Sequence, residues 1–216
     1  MPHGSAGVPR RSVLAALVLA GPAAAAGCAG SEPPPPAPGP PPGRDALVMV
    51  MRHAEQPYAG APGQDADGED DPGSLAGRGR RRAGALPLLF APSPKAPLPR
   101  PGLVFAVADA GRHAGSHRSR ETVGPLAESL GVKVRTDLGL GEEARVAAAA
   151  VASGAPVLVC WERAGVPGLV RALGADRVPG VPAEWPDRFD LVWVFTRRSG
   201  RWSFRELPQH LLAGDA

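Results

Sequence analysis

The sequence predicts an α/β domain, a three-layer α/β/α sandwich on a mostly parallel sheet, spanning 45–216 and preceded by segments that build no core. From Ala46 onward, apolar runs of strand length alternate with stretches of helical period, the pattern of strands joined by crossover helices. The 27 Pro and 28 Gly exceed ordinary usage, and the excess gathers near the N-terminus, where it marks a linker. A chain of 216 residues also has room for one sizeable core, since such cores usually run to roughly 100–200 residues.

Positions 1–27 read as a targeting segment. Arg10 and Arg11 precede a short apolar run, Val13 to Ala20, and small residues from Ala23 to Gly27 lead into Cys28. The run is too short to span a bilayer, which takes about 20 apolar residues. The small residues before Cys28 resemble the lipobox of bacterial lipoproteins, in which the cysteine is acylated and becomes the mature N-terminus. Arg10 and Arg11 with Ser12, Val13 and Leu14 resemble a twin-arginine export signal. The resemblance implies an exported protein held to the outer face of the cytoplasmic membrane by lipid on Cys28 alone. A plain cleaved signal peptide, giving a secreted protein, is the alternative. Positions 28–44 form the tether: Ser31 to Gly43 is nearly all Pro, Gly and Ala, an extended composition reaching roughly 3 Å per residue.

Within the domain, Ala46 to Met51 is the first expected strand and Leu103 to Ala108 the second. Between them Leu75, Gly79, Ala83, Leu86 and Phe90 recur at helical spacing, which puts Arg78 and Arg80 to Arg82 on a solvated face. Val123, Leu126, Ala127 and Leu130 mark the next helix, which Pro125 must kink or begin. Glu142 to Ala152 is a third helix, Pro156 to Trp161 a central strand, and Pro167 to Leu173 a helix opened by its proline. Leu191 to Thr196 and Trp202 to Leu207 flank Arg198, Ser199 and Gly200 as an edge hairpin.

Charge excludes one class of partner. The 24 basic and 21 acidic residues give +3, and loss of positions 1–27 removes Arg10 and Arg11 and no acid, leaving 22 against 21. A balance near +1 offers nucleic acid no electrostatic footprint. With Cys28 lipidated, Cys160 has no partner for a disulfide, and its apolar neighbours predict a buried, inert thiol.

The chemistry gathers after the first strand. In open α/β sheets ligands bind where strands end, and Arg52 and His53 stand there, a charged pair following an apolar run. The run MVMRHAEQP resembles the RH(G/A)E signature of the histidine phosphatase superfamily, whose members share the phosphoglycerate mutase-like fold. LAGRGRRRA, from Leu75 to Ala83, is similar to that family's L-T-x-x-G-x-x-Q-A helix. SHRSRETVGPLAESLG, from Ser116 to Gly131, resembles the segment with a second phosphate-binding arginine, here Arg118, four residues before Thr122. VLVCWERAGVPGLVRALG, from Val157 to Gly174, resembles the last motif.

The resemblance implies a phosphomonoester hydrolase that needs no metal or cofactor and acts on a phosphorylated small molecule. His53 attacks phosphorus to give a phosphohistidine. Arg52, Arg118 and Arg163 hold the phosphoryl oxygens with planar forks. Glu162 or Asp109 donates the proton. His53 has no second His or Cys at metal-ligand spacing. One position departs from the pattern: Arg163 stands where the family has its second catalytic histidine, between matching Trp161, Glu162 and Val166, Pro167. A permanent cation keeps charge at the phosphate but cannot carry a proton. Turnover is then impaired, or the pocket binds phosphate as a degenerate or scaffold protein. His113 and His117 are candidates for the missing imidazole, and His210 reads as structural. Gln56 to Gly73, rich in Gly, Pro and acids, is expected as a mobile loop beside the pocket.

Overall fold

A computed structural model describes residues 44–65, 67–93, 95–109 and 116–216. Positions 1–27, Cys28, all of the tether but Arg44, and His113 lie outside them. Six strands form one sheet in the order β3-β2-β4-β1-β5-β6. They are β1 (Ala46–Arg52), β2 (Leu103–Ala106), β3 (Val134–Arg135), β4 (Val157–Trp161), β5 (Leu191–Arg198) and β6 (Arg201–Pro208). The first four run parallel, while β5 lies antiparallel to β1 and β6 antiparallel to β5. The mostly parallel sheet of the sequence reading therefore forms, with its hairpin at one edge.

Period-two alternation splits the core into two layers. Val48, Val50, Phe105, Val157, Val159 and Trp161 face one cluster, with α3 (Glu143–Ala152) and α4 (Val166–Leu173) packed on it through Val146, Val166 and Leu169. Met49, Met51, Val104, Leu158 and Cys160 face the other, covered by α2 (Arg118–Leu130) through Val123, Leu126 and Leu130. A strand buried on both faces reads as a continuous apolar run, which is why VMVM and VLVCW show no polar alternation. Each fully buried Val or Leu contributes roughly 1.5–3 kcal/mol.

Three expectations need correction and a fourth is narrowed. The first helix is shorter than its apolar spacing: α1 covers Gly77–Ala85, and Leu86–Leu89 tightens into a 3₁₀ turn. Pro87 has no N–H to return to the preceding turn, so the α-helical ladder cannot continue through it. The inward set Leu75, Gly79, Ala83, Leu86 and Phe90 is nonetheless buried throughout. Its arginines do not share a solvated face. Arg82 is 2 % exposed, Arg78 and Arg80 are half-buried, and Arg81 alone is exposed. Of the two alternatives for Pro125, beginning the helix is overturned: it lies inside α2, which starts seven residues before it at Arg118. Finally, β2 stops at Ala106, although Val107 N and Ala108 N still donate to the carbonyls of Cys160 and Leu138.

The edge hairpin turns through Ser199 and Gly200, both at positive φ (48° and 80°), the primed turn that matches strand twist. The segment after β1 is bonded to itself: Tyr58 bridges Ala61, Gln64 bridges Asp70, and Asp65 accepts from the backbone N–H groups of Asp67 and Glu69.

Candidate active site

Register decides which residues meet. Arg52 at the end of β1 pairs with Trp161 at the end of the parallel β4, so His53 and Glu162 leave the sheet side by side. His53 is 1 % exposed, and its Nε2 stands 3.4 Å from Glu162 Oε2. Its Nδ1 lies 2.7 Å from the carbonyl oxygen of Ala54. A carbonyl only accepts, so Nδ1 carries the proton and donates. The neutral ring then presents its lone pair at Nε2, the nitrogen turned to Glu162.

The backbone behind the ring is fixed by α2. Ala54 N donates to Thr122 Oγ1 at 2.8 Å, and Thr122 Oγ1 donates to the carbonyl of Arg118 at 2.7 Å. Thr122 thus ties the first turn of α2 to the residue after His53.

Arg52 is 6 % exposed, with its guanidinium 4.0 Å over the ring of Phe189. Its Nη1 donates to Asp187 Oδ1 at 3.1 Å and its Nη2 to Gln56 Oε1 at 3.4 Å. Nε is buried with no partner among the described residues. Burial pulls the Arg52 pKa below its ordinary value, and Asp187 opposes that pull. The group stays cationic, since guanidinium does not deprotonate in proteins. Arg163 follows Glu162, donates from Nε to the carbonyl of Trp185 at 3.0 Å, and places Nη1 3.2 Å from the same Asp187 Oδ1. Glu162, Arg163, Pro167, Glu184 and Trp185 line an adjoining cleft of about 500 Å³.

The structure therefore gathers Arg52, His53, Glu162 and Arg163 at one end of the sheet. Arg118 enters differently: its Nη1 donates to the carbonyl of Pro72 at 3.0 Å, while its Nε is buried without a partner among the described residues. Asp109, a candidate proton donor, lies 2.9 Å from His117 Nδ1, so these two form a pair of their own. His210 is exposed at φ 47°. Cys160 is fully buried, and burial pushes its thiol well above the ordinary range. Among the described residues, no three His, Cys, Asp or Glu side chains stand together as a metal site requires.

Sequence reasoning missed Asp187, Phe189 and the partners of Glu55. The run Trp185 to Asp190 has no periodicity, and its signal is two aromatics and two acids inside a Pro- and Gly-rich connection. Glu55 pairs with Arg82 Nη2 at 2.7 Å and Arg78 Nε at 3.0 Å.

Compared by sequence, the chain matches no family model and no curated protein. Compared by structure, it is similar to three solved proteins described as phosphatases. One, described as the phosphohistidine phosphatase SixA of Agrobacterium tumefaciens, is 19% identical over 75% of this chain and 97% of its own, with a TM-score of 0.48. A second, described as an α-ribazole-5'-P phosphatase of Escherichia coli, is 13% identical over 79% and 99%, with a TM-score of 0.46. The third, a mycobacterial glucosyl-3-phosphoglycerate phosphatase in complex with VO3, is 18% identical over 74% and 97%, with a TM-score of 0.42.

Proposed function

We propose that this protein hydrolyses phosphomonoesters through a phosphohistidine on His53. The observation that carries the reading is the His53 ring: Nδ1 is committed to the Ala54 carbonyl, which leaves Nε2 as the nucleophile beside Arg52 and Glu162. Attack by Nε2 on phosphorus breaks the ester P–O bond, and the leaving oxygen takes the proton held at Glu162. The Ala54 carbonyl stabilises the positive ring that forms. Water then attacks phosphorus, gives its proton back to Glu162, and releases phosphate and a neutral His53. Arg52 and Arg163 hold the equatorial oxygens, where transition-state charge gathers, and Arg118 joins them from the start of α2. The cleft beside Arg163 receives the leaving group.

A second reading rests on Arg163 itself. Its guanidinium cannot carry a proton, so the same pocket would bind phosphate with little or no turnover. Both readings place the domain outside the cytoplasm on a 28–44 tether, with lipid on Cys28, a proposal supported by the sequence of positions 10–28.

Hydrolysis of an aryl phosphate, measured beside calorimetric binding of inorganic phosphate, tests the pair. His53→Ala should abolish turnover. Arg163→His should raise it about tenfold or more, because a positioned acid-base group contributes about 10²–10⁴-fold. Robust wild-type turnover that His53→Ala removes and Arg163→His leaves flat would make Arg163 a competent catalytic group. Phosphate binding without turnover in either protein would favour the second reading, and full activity in His53→Ala would end the first.

A further inference from the structure

We infer that Asp187 is a built-in competitor for the phosphate, an internal anion seated in the arginine fork that the substrate must displace. The inference rests on the phosphate pocket proposed above. A single oxygen, Asp187 Oδ1, takes Nη1 of Arg52 at 3.1 Å and Nη1 of Arg163 at 3.2 Å. Two guanidinium groups converging on one carboxylate oxygen present the donor arrangement that a phosphoryl oxygen would take.

The placement is imposed by the segment that carries Asp187. Trp185 is fully buried against Trp193, with ring centroids 4.6 Å apart, and its Nε1 donates to the Arg188 carbonyl at 3.0 Å. Arg188 N donates to the Pro186 carbonyl at 2.8 Å, which turns the chain sharply at Asp187. Phe189 lies beneath Arg52, and Asp190, 6 % exposed, grips Arg188 at 2.7 Å. Asp187 is the apex of a loop anchored on both sides.

The apex is also easy to displace. The Asp187 side chain is 78 % exposed, and ion pairs in that setting are weak. A phosphate monoester brings more negative charge and three equatorial oxygens, and can additionally use Arg52 Nε, buried with no partner among the described residues. Asp187 therefore keeps the two cations from repelling each other in the empty pocket and lowers the affinity for every anion that enters.

Inorganic phosphate binding, measured by calorimetry on the full chain, tests this with Asp187→Asn and Asp187→Glu. Asp187→Asn should tighten phosphate about fivefold, the scale of one exposed ion pair, and lower KM for an aryl phosphate by a similar factor. Asp187→Glu, which keeps the charge, should bind nearer to wild type. Equal phosphate affinity in wild type and Asp187→Asn would overturn the role of Asp187 and leave the pocket standing. Weaker binding in Asp187→Asn would also overturn it, since Asp187 would then be organising the arginines for the ligand. Absence of phosphate binding in all three proteins would overturn the pocket together with its competitor.

Discussion

Glu55 stands two positions past His53, the proposed nucleophile, yet its carboxylate works for the scaffold. Arg82 donates to it from Nε and Nη2, and gives its remaining donors to Asp215, at 2.9 and 2.8 Å, and to Gln209 at 3.2 Å. The Arg82 and Asp215 side chains are each 2 % exposed. Burial works against charge on Arg82, but Asp215 and Glu55 outweigh it and raise its pKa, while the Arg82 bonds hold the Asp215 carboxyl well below its usual range. Breaking a buried pair strands a charge and costs about 3–5 kcal/mol. Asp215→Asn should therefore lower unfolding free energy by about 3 kcal/mol, read by urea titration at neutral pH. The sign with pH follows from the depressed pKa. The Asp215 contribution is complete above the unfolded carboxylate pKa of about 3.9 and is lost as pH falls through the lower folded value. The wild type should lose more stability than Asp215→Asn when urea titrations are repeated below about pH 4; parallel losses would mean the pair contributes little.

Among the elements, α1 shows how close packing brings the scaffold to the site. A Cβ on Gly79 would lie 2.5 Å from the Glu55 carbonyl oxygen and 2.9 Å from its nitrogen, both backbone atoms. Gly84 on the same helix meets nothing within 4 Å. Gly79→Ala should thus destabilise by about 1–3 kcal/mol and lower kcat by shifting the chain beside His53. Gly84→Ala should stabilise by up to about 1 kcal/mol through helix propensity, with kcat unchanged. Denaturation midpoints that move alike in the two variants would contradict the close approach. The buried strands were legible because they are continuous apolar runs, and the hairpin because Ser199 and Gly200 punctuate it. That Arg52, His53, Glu162 and Arg163 would meet at one end of the sheet was legible through motif order. The burial of Arg82 was not, since its partners Glu55 and Asp215 lie 27 and 133 positions away. Two-residue β3 offers no period to detect, and the reach of Asp187 depends on how Trp185 and Phe189 anchor its loop.

For the whole molecule, the proposed anchor would set where the domain works. The Pro- and Gly-rich composition of the proposed tether from Cys28 would hold the domain near a membrane yet clear of it. Metabolic labelling with a fatty-acid analogue should mark the wild type and leave Cys28→Ala unmarked, read on a gel of whole cells. Equal labelling of the two would end the lipoprotein proposal. The domain's charge balance fits a protein that finds small anions through a local arginine cluster, without a long-range field.

The strand that leads into His53 is made long before its partners. Val48 in β1 finds its parallel partner at Val157 and its antiparallel partner at Phe195, both more than 100 positions later. Contacts of that separation must close large loops before any stabilisation returns, which slows folding. Until the second half of the chain is available, Val48 to Met51 remains an apolar, strand-prone run with unpaired edges, the kind of segment that aggregates. The strand beside the candidate site is therefore the one whose exposure the cell must manage while the chain is being made.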